Sequence, residues 1–188
     1  MADRDGPEHT SGRVALFASS GDARAVETRE YYTAERDRIR AAHLAPRDAR
    51  PTSSARGVHH VALISSDVER TVRFYQDLLE FPLTDMFENR DYQGSTHFFF
   101  DIGHGNTIAF FDLPGLDCGP YAEVLGGLHH LAISVEPSRW QHLKDKLDAA
   151  GIEYAHIDGS SIYFRDPDGA RLELISDPLG EMYGSIVL

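Results

Sequence analysis

The stretch Gly57–Leu63, GVHHVAL, returns as Gly127–Ile133, GLHHLAI, 70 residues further along a chain of 188. An internal repeat constrains a fold more than any local propensity, because each copy must build the same unit. Each copy opens a strand: Val, Leu and Ile alternate with other residues between a glycine and a polar break. A helical stretch follows in both, Asp67–Leu79 (DVERTVRFYQDLL) and Pro137–Ala150 (PSRWQHLKDKLDAA). Val68, Val72, Tyr75 and Leu79 fall at helical spacing, and Gly151 sits where a helix stops. Three strand segments then come after each helix, at 82–88, 96–102 and 107–113 in the first copy and at 153–157, 160–165 and 170–176 in the second. The last two of each set flank a tight turn, Gly103–Asn106 or Asp166–Gly169. The unit is therefore βαβββ, used twice, as modules 57–114 and 127–178. The fold class is α+β, since two units that cannot each close a core must share one.

Residues 1–56 differ in kind. They hold ten Arg, no Lys and nine acids, a charge of +1, whereas residues 57–188 carry −13. The segment PTSSARG (51–57) is the natural joint between an N-terminal extension and a second domain of 57–188. Within the extension, Asp22–His43 reads as a helix with Asp22 as its cap and a thin apolar stripe that includes Val26, Tyr31 and Ile39. The net charge of −12 excludes nucleic acid and an anionic membrane surface as main partners, because both reward Lys and Arg. A single cysteine, Cys118, excludes an internal disulfide framework and suits a reducing compartment. No run approaches the ~18 apolar residues of a spanning helix, and MADRDGPEHT lacks an apolar signal core, so a cytoplasmic protein is expected.

The paired histidines carry the chemistry. Neighbours on a strand point to opposite faces, so one member of each pair should face the helix layer and the other the open side. His60 shares its face with Ala62 and Ile64, and His130 with Ala132 and Ser134, so these two look outward beside small residues. In the strand ARLELI (170–175), Glu173 is a carboxylate among apolar neighbours and needs a partner. Two imidazoles and one carboxylate from three strands form a set suited to Fe(II), Mn(II) or Zn(II), with positions left open for substrate.

The HHVAL/HHLAI strand openings, the helix bearing Phe74, Tyr75 and Leu79, and YFRDPDGARLEL (163–174) together resemble the vicinal oxygen chelate superfamily. That family includes glyoxalase I, epimerases, fosfomycin-resistance thiol transferases, extradiol ring-cleaving dioxygenases and metal-free bleomycin-binding proteins. The resemblance covers 57–178 and implies two modules whose curved mixed sheets form a cup around a metal held by His60, His130 and Glu173. Cups of this kind are often completed by pairing of chains, which implies a homodimer.

Glyoxalases and epimerases resemble one another in adding a fourth ligand, and the corresponding place here holds Ala109. Three protein ligands resemble the dioxygenase and thiol-transferase branches instead. HIDGSSIYFRDPDGARLE (156–173) is similar to the extradiol signature, which implies substrate contacts from His156 and Tyr163. Tyr163 shares a face with Glu173 if the intervening loop has five residues, and not if it has four. The strand in which that branch keeps an acid–base histidine carries Asn106, which can hydrogen-bond a substrate oxygen but cannot exchange a proton near neutral pH. His97 could also point inward. Phe98, Phe99, Phe100, Phe110 and Phe111 put aromatics on two adjoining strands, and any that reach the open face would make a wall for a small aromatic ligand. The charge of the second domain disfavours strongly anionic substrates.

The leading expectation is a metal-dependent, extradiol-like dioxygenase that holds Fe(II) or Mn(II) and acts on a catechol-like substrate bound through vicinal oxygens. A glyoxalase-type isomerase or a thiol transferase, working with Zn(II) or Ni(II), is the first alternative. A metal-free protein that sequesters a planar compound is the second.

Overall fold

The computed structural model describes residues 23–157 and 159–188, with side chains described from residue 28 onward apart from Asp158. The chain divides between Thr52 and Ser53 into two compact units. Helix α1, Ala23–His43, and a short 3-10 turn at Arg47–Ala49 belong to the first unit. Tyr31, Tyr32 and Ile39 on α1 are exposed; the expected cap, Asp22, and the side chain of Val26 lie outside the described residues.

The second unit contains the two βαβββ modules. Strands β1 (His60–Ile64), β2 (Leu83–Glu88), β3 (Thr96–Asp101) and β4 (Thr107–Phe111) form one sheet in the order β1-β4-β3-β2. Strands β5 (Leu131–Ser134), β6 (Tyr154–Ile157), β7 (Ser161–Arg165) and β8 (Arg171–Ile175) repeat that order as β5-β8-β7-β6. In each sheet the module's first strand lies at the edge, parallel to the module's last strand, while the other pairs are antiparallel. A small hairpin, β9 (Glu181–Met182) with β10 (Ser185–Ile186), ends the chain.

The helices obey local rules with one departure. The Asp67 side chain accepts the Arg70 N–H at 3.0 Å and starts α2, Val68–Val72. The stretch expected to continue as an α-helix widens into a π-turn over Arg73–Leu78, with Leu79 N–H donating to the Phe74 carbonyl and Phe81 N–H to that of Tyr75. The wider turn buries both Phe74 and Tyr75. Helix α3, Pro137–Ala149, opens on a proline, which fits the first turn, and buries Trp140, Leu143 and Leu147. Gly151 follows at φ 68°, a conformation open to glycine without strain.

The modules meet through their helix-side elements and build one core. The Phe74 and Phe164 rings lie 6.2 Å apart across the junction. The Tyr75 hydroxyl donates to Asp166 Oδ2 at 3.0 Å, and Asp166 Oδ1 accepts the N–H groups of Asp168 and Ala170. Burial raises the pKa of Asp166, and burial followed by the neighbouring Asp166 charge raises that of Tyr75. At the rim, Glu80 of the first module meets three side chains of the second: His142 at 2.8 Å, Lys146 at 3.0 Å, and Arg139. The open faces of both sheets are left on the other side of this core.

Candidate functional site

Strand register sorts each candidate residue onto a face. On the first open face, the row Ala62–Ala109–Phe99 crosses β1, β4 and β3. On the second, the matching row is Ala132–Glu173–Tyr163 across β5, β8 and β7. The loop Asp166–Ala170 has five residues, bounded by the pair Arg165↔Arg171, so Tyr163 and Glu173 do share a face.

Glu173 is 4% exposed, and its Oε2 stands 3.1 Å from His130 Nε2. Tyr163 hydrogen-bonds the same carboxylate, and its ring meets His130 edge-on at 5.5 Å. Burial first, and then the hydrogen bond to Glu173, raise the Tyr163 pKa, so the phenol keeps its proton at physiological pH. A buried carboxylate facing an imidazole nitrogen and a phenol supplies the oxygen and nitrogen donors that a divalent cation of the Fe(II), Mn(II) or Zn(II) type takes. His130 and Glu173 therefore fit a metal as two members of a ligand set.

His60 stands on the other sheet. It is exposed, and its ring packs edge-on to Phe99 at 6.3 Å. Around it are Phe111 and His97, stacked at 3.8 Å, with Phe99 4.2 Å and Phe87 5.4 Å from the His97 ring. His97 Nε2 is buried and has no hydrogen-bond partner among the described residues. Burial lowers the His97 pKa, and the nearby charge of His60 lowers it further. Phe98, Phe100 and Phe110 point the other way and are fully buried in the core. Among the described residues, no group of three or more His, Cys, Asp or Glu side chains is arranged within this one chain to hold a metal ion. The structure brings His130, Glu173 and Tyr163 together, and does not bring His60 to them.

Three other expectations change. His156 pairs with Ile162 on β7, and its ring lies 5.5 Å from the Trp140 indole. That is the helix-side face, opposite Tyr163 and Glu173, so His156 does not reach the open face from which a substrate would be contacted. Asn106 closes its turn instead of facing a ligand: Nδ2 donates to the Gly103 and His104 carbonyls at 3.1 and 3.4 Å. The first histidine of each pair does not enter the helix layer either. His59 and His129 precede regular strand geometry, and both are exposed beside their partners. Glu123, in the irregular connection between modules, escapes a reading based on periodicity. Its carboxylate lies 2.5 Å from Arg171 Nη2 and 3.7 Å from His129 Nε2.

Comparison with known proteins agrees with this architecture. Residues 57–174 match the model of the Glyoxalase/Bleomycin resistance protein/Dioxygenase superfamily. The chain belongs to that superfamily. It is 30% identical over 133 residues to the metallothiol transferase FosB of Shouchella clausii (strain KSM-K16), a match spanning 66% of this chain and 83% of that protein. It is 24% identical over 136 residues to the putative ring-cleaving dioxygenase MhqA of Bacillus subtilis (strain 168), spanning 68% of this chain but only 42% of that longer protein. Among solved structures, a putative dioxygenase from Bacillus subtilis superposes with a TM-score of 0.60 at 25% identity, over 69% of this chain and 43% of that one. The glyoxylase/bleomycin resistance protein/dioxygenase domain from Frankia sp. EAN1pec gives 0.58 at 23% identity, over 68% and 96%, and speaks for the fold alone. No helix among the described residues is long and apolar enough to cross a membrane.

Proposed function

We propose that this superfamily member is a divalent-metal enzyme acting on a small molecule that presents two adjacent oxygens. The observation that carries this reading is the buried Glu173 carboxylate facing His130 Nε2 on an open sheet face. An isolated buried carboxylate is costly, and a cation is the partner that its donor set suits. His60 completes the set from a second copy of the chain, because within one chain it stands on the other sheet. The working unit is then a homodimer with two equivalent sites, each built from the first module of one chain and the second module of its partner. A bound cation supplies Lewis acidity and a template for the two substrate oxygens.

The chain's own side chains set the rest. Tyr163 keeps its proton and can donate to a substrate oxygen beside Glu173. Phe99, Phe111 and Phe87 offer an apolar wall to a planar ring, with the His97 imidazole stacked within it. This wall favours extradiol ring cleavage of a catechol-like substrate with Fe(II) or Mn(II), in which dioxygen is the oxidant and both of its atoms enter the opened ring. A second reading, thiol transfer without a redox step, draws on the FosB likeness, which spans most of that relative's length.

One experiment separates them. Protein loaded anaerobically with Fe(II) or Mn(II), then given dioxygen and a panel of catechols, should yield a yellow ring-opened product with one dioxygen consumed per turnover. Turnover of an electrophile and a thiol under strict anaerobiosis with Zn(II) or Ni(II) would assign the second reading. Absence of metal after supplementation, measured by elemental analysis, would leave only a sequestering protein.

A further inference from the structure

The two histidine pairs share one geometry. In the first module His59 Nδ1 lies 2.8 Å from His60 Nδ1, with the rings 5.1 Å apart at 77°. In the second, His129 Nδ1 lies 2.7 Å from His130 Nδ1, with the rings 5.0 Å apart at 75°. Sequence neighbours on a regular strand cannot make this contact, since their side chains diverge. It forms here because the first histidine of each pair sits in irregular backbone ahead of its strand. Both modules reproduce the contact, so it is a property of the unit and not an accident of one loop.

An imidazole that binds a cation through Nε2 has its proton on Nδ1, and the partner of that proton fixes ring orientation and tautomer. We infer that His59 and His129 are positioning residues: each accepts the Nδ1–H of the adjacent histidine and thereby aims the Nε2 lone pair of His60 or His130 at the cation. This rests on the metal reading above. The two supports are unequal. His129 is itself held, because Tyr121 Oη donates to the Leu128 and His129 carbonyls at 2.7 and 3.2 Å. On its far side, His129 Nε2 accepts from Arg171 Nη1 at 3.3 Å, since a guanidinium only donates, so in this geometry the His129 proton is on Nδ1. Glu123 lies 3.7 Å from the same Nε2 and holds Arg171 Nη2 at 2.5 Å. Aiming His130 Nε2 at a cation needs the reverse arrangement: His130 donates its Nδ1–H, the His129 proton moves to Nε2, and Arg171 releases that nitrogen while keeping its ion pair with Glu123, whose other oxygen then becomes the acceptor for Nε2–H. His59 lacks any comparable acidic neighbour among the contacts described.

Calorimetric titration of the full chain with Mn(II) and Zn(II) tests this without reference to turnover. Glu173→Ala should abolish binding at the site. His129→Phe should weaken it ~10- to 100-fold, the usual loss when the group behind a ligating histidine is removed. His59→Phe should weaken it less. In His129→Asn the side-chain Oδ1 takes about the place of the imidazole Nδ1 and can accept the same proton, so affinity should recover most of the way. Both rings are exposed, and thermal melting of each variant, with His129→Ala as a second truncation, keeps affinity separate from folding. If Glu173→Ala loses the metal while His129→Phe and His129→Ala bind as tightly as the parent, or if Asn is no better than Phe, the positioning role is wrong and the metal site stands. If the parent binds neither metal, the metal reading itself fails and the inference falls with it.

Discussion

Across the first sheet one register row of the open face reads Ala62, Ala109, Phe99; across the second, the same row reads Ala132, Glu173, Tyr163. Backbone, strand order and pairing are alike, so the difference lies wholly in side chains. Alanine and phenylalanine ask nothing of a buried sheet face. A carboxylate at the same place pays a desolvation cost of several kcal/mol unless it is partnered. The second module meets that cost with His130 and Tyr163, and the first avoids it. One face therefore brings donors, and the other brings an apolar wall with two imidazoles, His97 within it and His60 beside it. Duplication supplied two copies of a scaffold, and the copies divide the work.

The largest effect should come from breaking the donor half. Glu173→Ala should lose metal from the purified protein, read by elemental analysis, with little change in melting temperature; unchanged metal content would refute the assignment of this carboxylate. The reverse change, Ala109→Glu, gives the wall half the carboxylate that it lacks. It should tighten metal retention and suppress turnover by filling a position otherwise open to substrate. Equal turnover with the variant would mean that position 109 does not face the site.

Next comes the division itself. His60→Ala and Glu173→Ala chains should each be inactive, but co-refolding them should restore sites made from the His60 of one and the His130 and Glu173 of the other. Random pairing places one intact site in each mixed dimer. No recovery in the mixture, in an assay where each parent recovers on refolding, would show that the halves do not meet between chains.

A smaller effect belongs to the junction. Tyr75→Phe removes one of three donors from the buried Asp166 carboxylate and should lower stability by about 1–3 kcal/mol, the usual cost of leaving such a group short of a partner. The loss should appear in a denaturant melt and leave metal affinity unchanged. A drop in metal affinity comparable to that of Glu173→Ala would tie the junction to the site.

Much of this was legible before any coordinates. The repeat, the βαβββ succession of elements in each unit and the open-side placement of His60, His130 and Glu173 all follow from periodicity and turn chemistry, which are local. Ala109 as the counterpart of Glu173 followed from counting out of the turn glycine. What was hidden depends on distance. Periodicity does not say which sheet face meets which, so the separation of His60 from Glu173 within one chain could not be read. His156 satisfied a spacing rule, yet its strand pairs it with Ile162 and turns it to Trp140. Asn106 was placed on the right strand end, but the tight turn claims its amide. Adjacent histidines were assigned to opposite faces by a rule that holds only inside a strand, and His59 and His129 stand just before one.

Glu80 gives the smallest and most specific comparison between the modules, because it sets one carboxylate of the first against His142, Lys146 and Arg139 of the second. The hydrogen bond from His142, then that from Lys146, hold its pKa down to about 2, below the ordinary 4.5. A carboxyl whose folded pKa is depressed contributes stability above its unfolded pKa and loses it as pH falls toward the folded value. The contribution is therefore full above about pH 4.5 and fades between there and about pH 2. Its size is moderated by solvent, since the carboxylate is 30% exposed and two of its partners are more so. Glu80→Gln should cost about 1 kcal/mol at neutral pH. The decisive measurement is the difference in unfolding free energy between parent and variant along a pH series. It should be constant near neutrality and shrink as the pH falls from about 4.5 toward 2. A difference that held its size at the acid end would mean that the carboxylate charge is not what joins the modules at this rim.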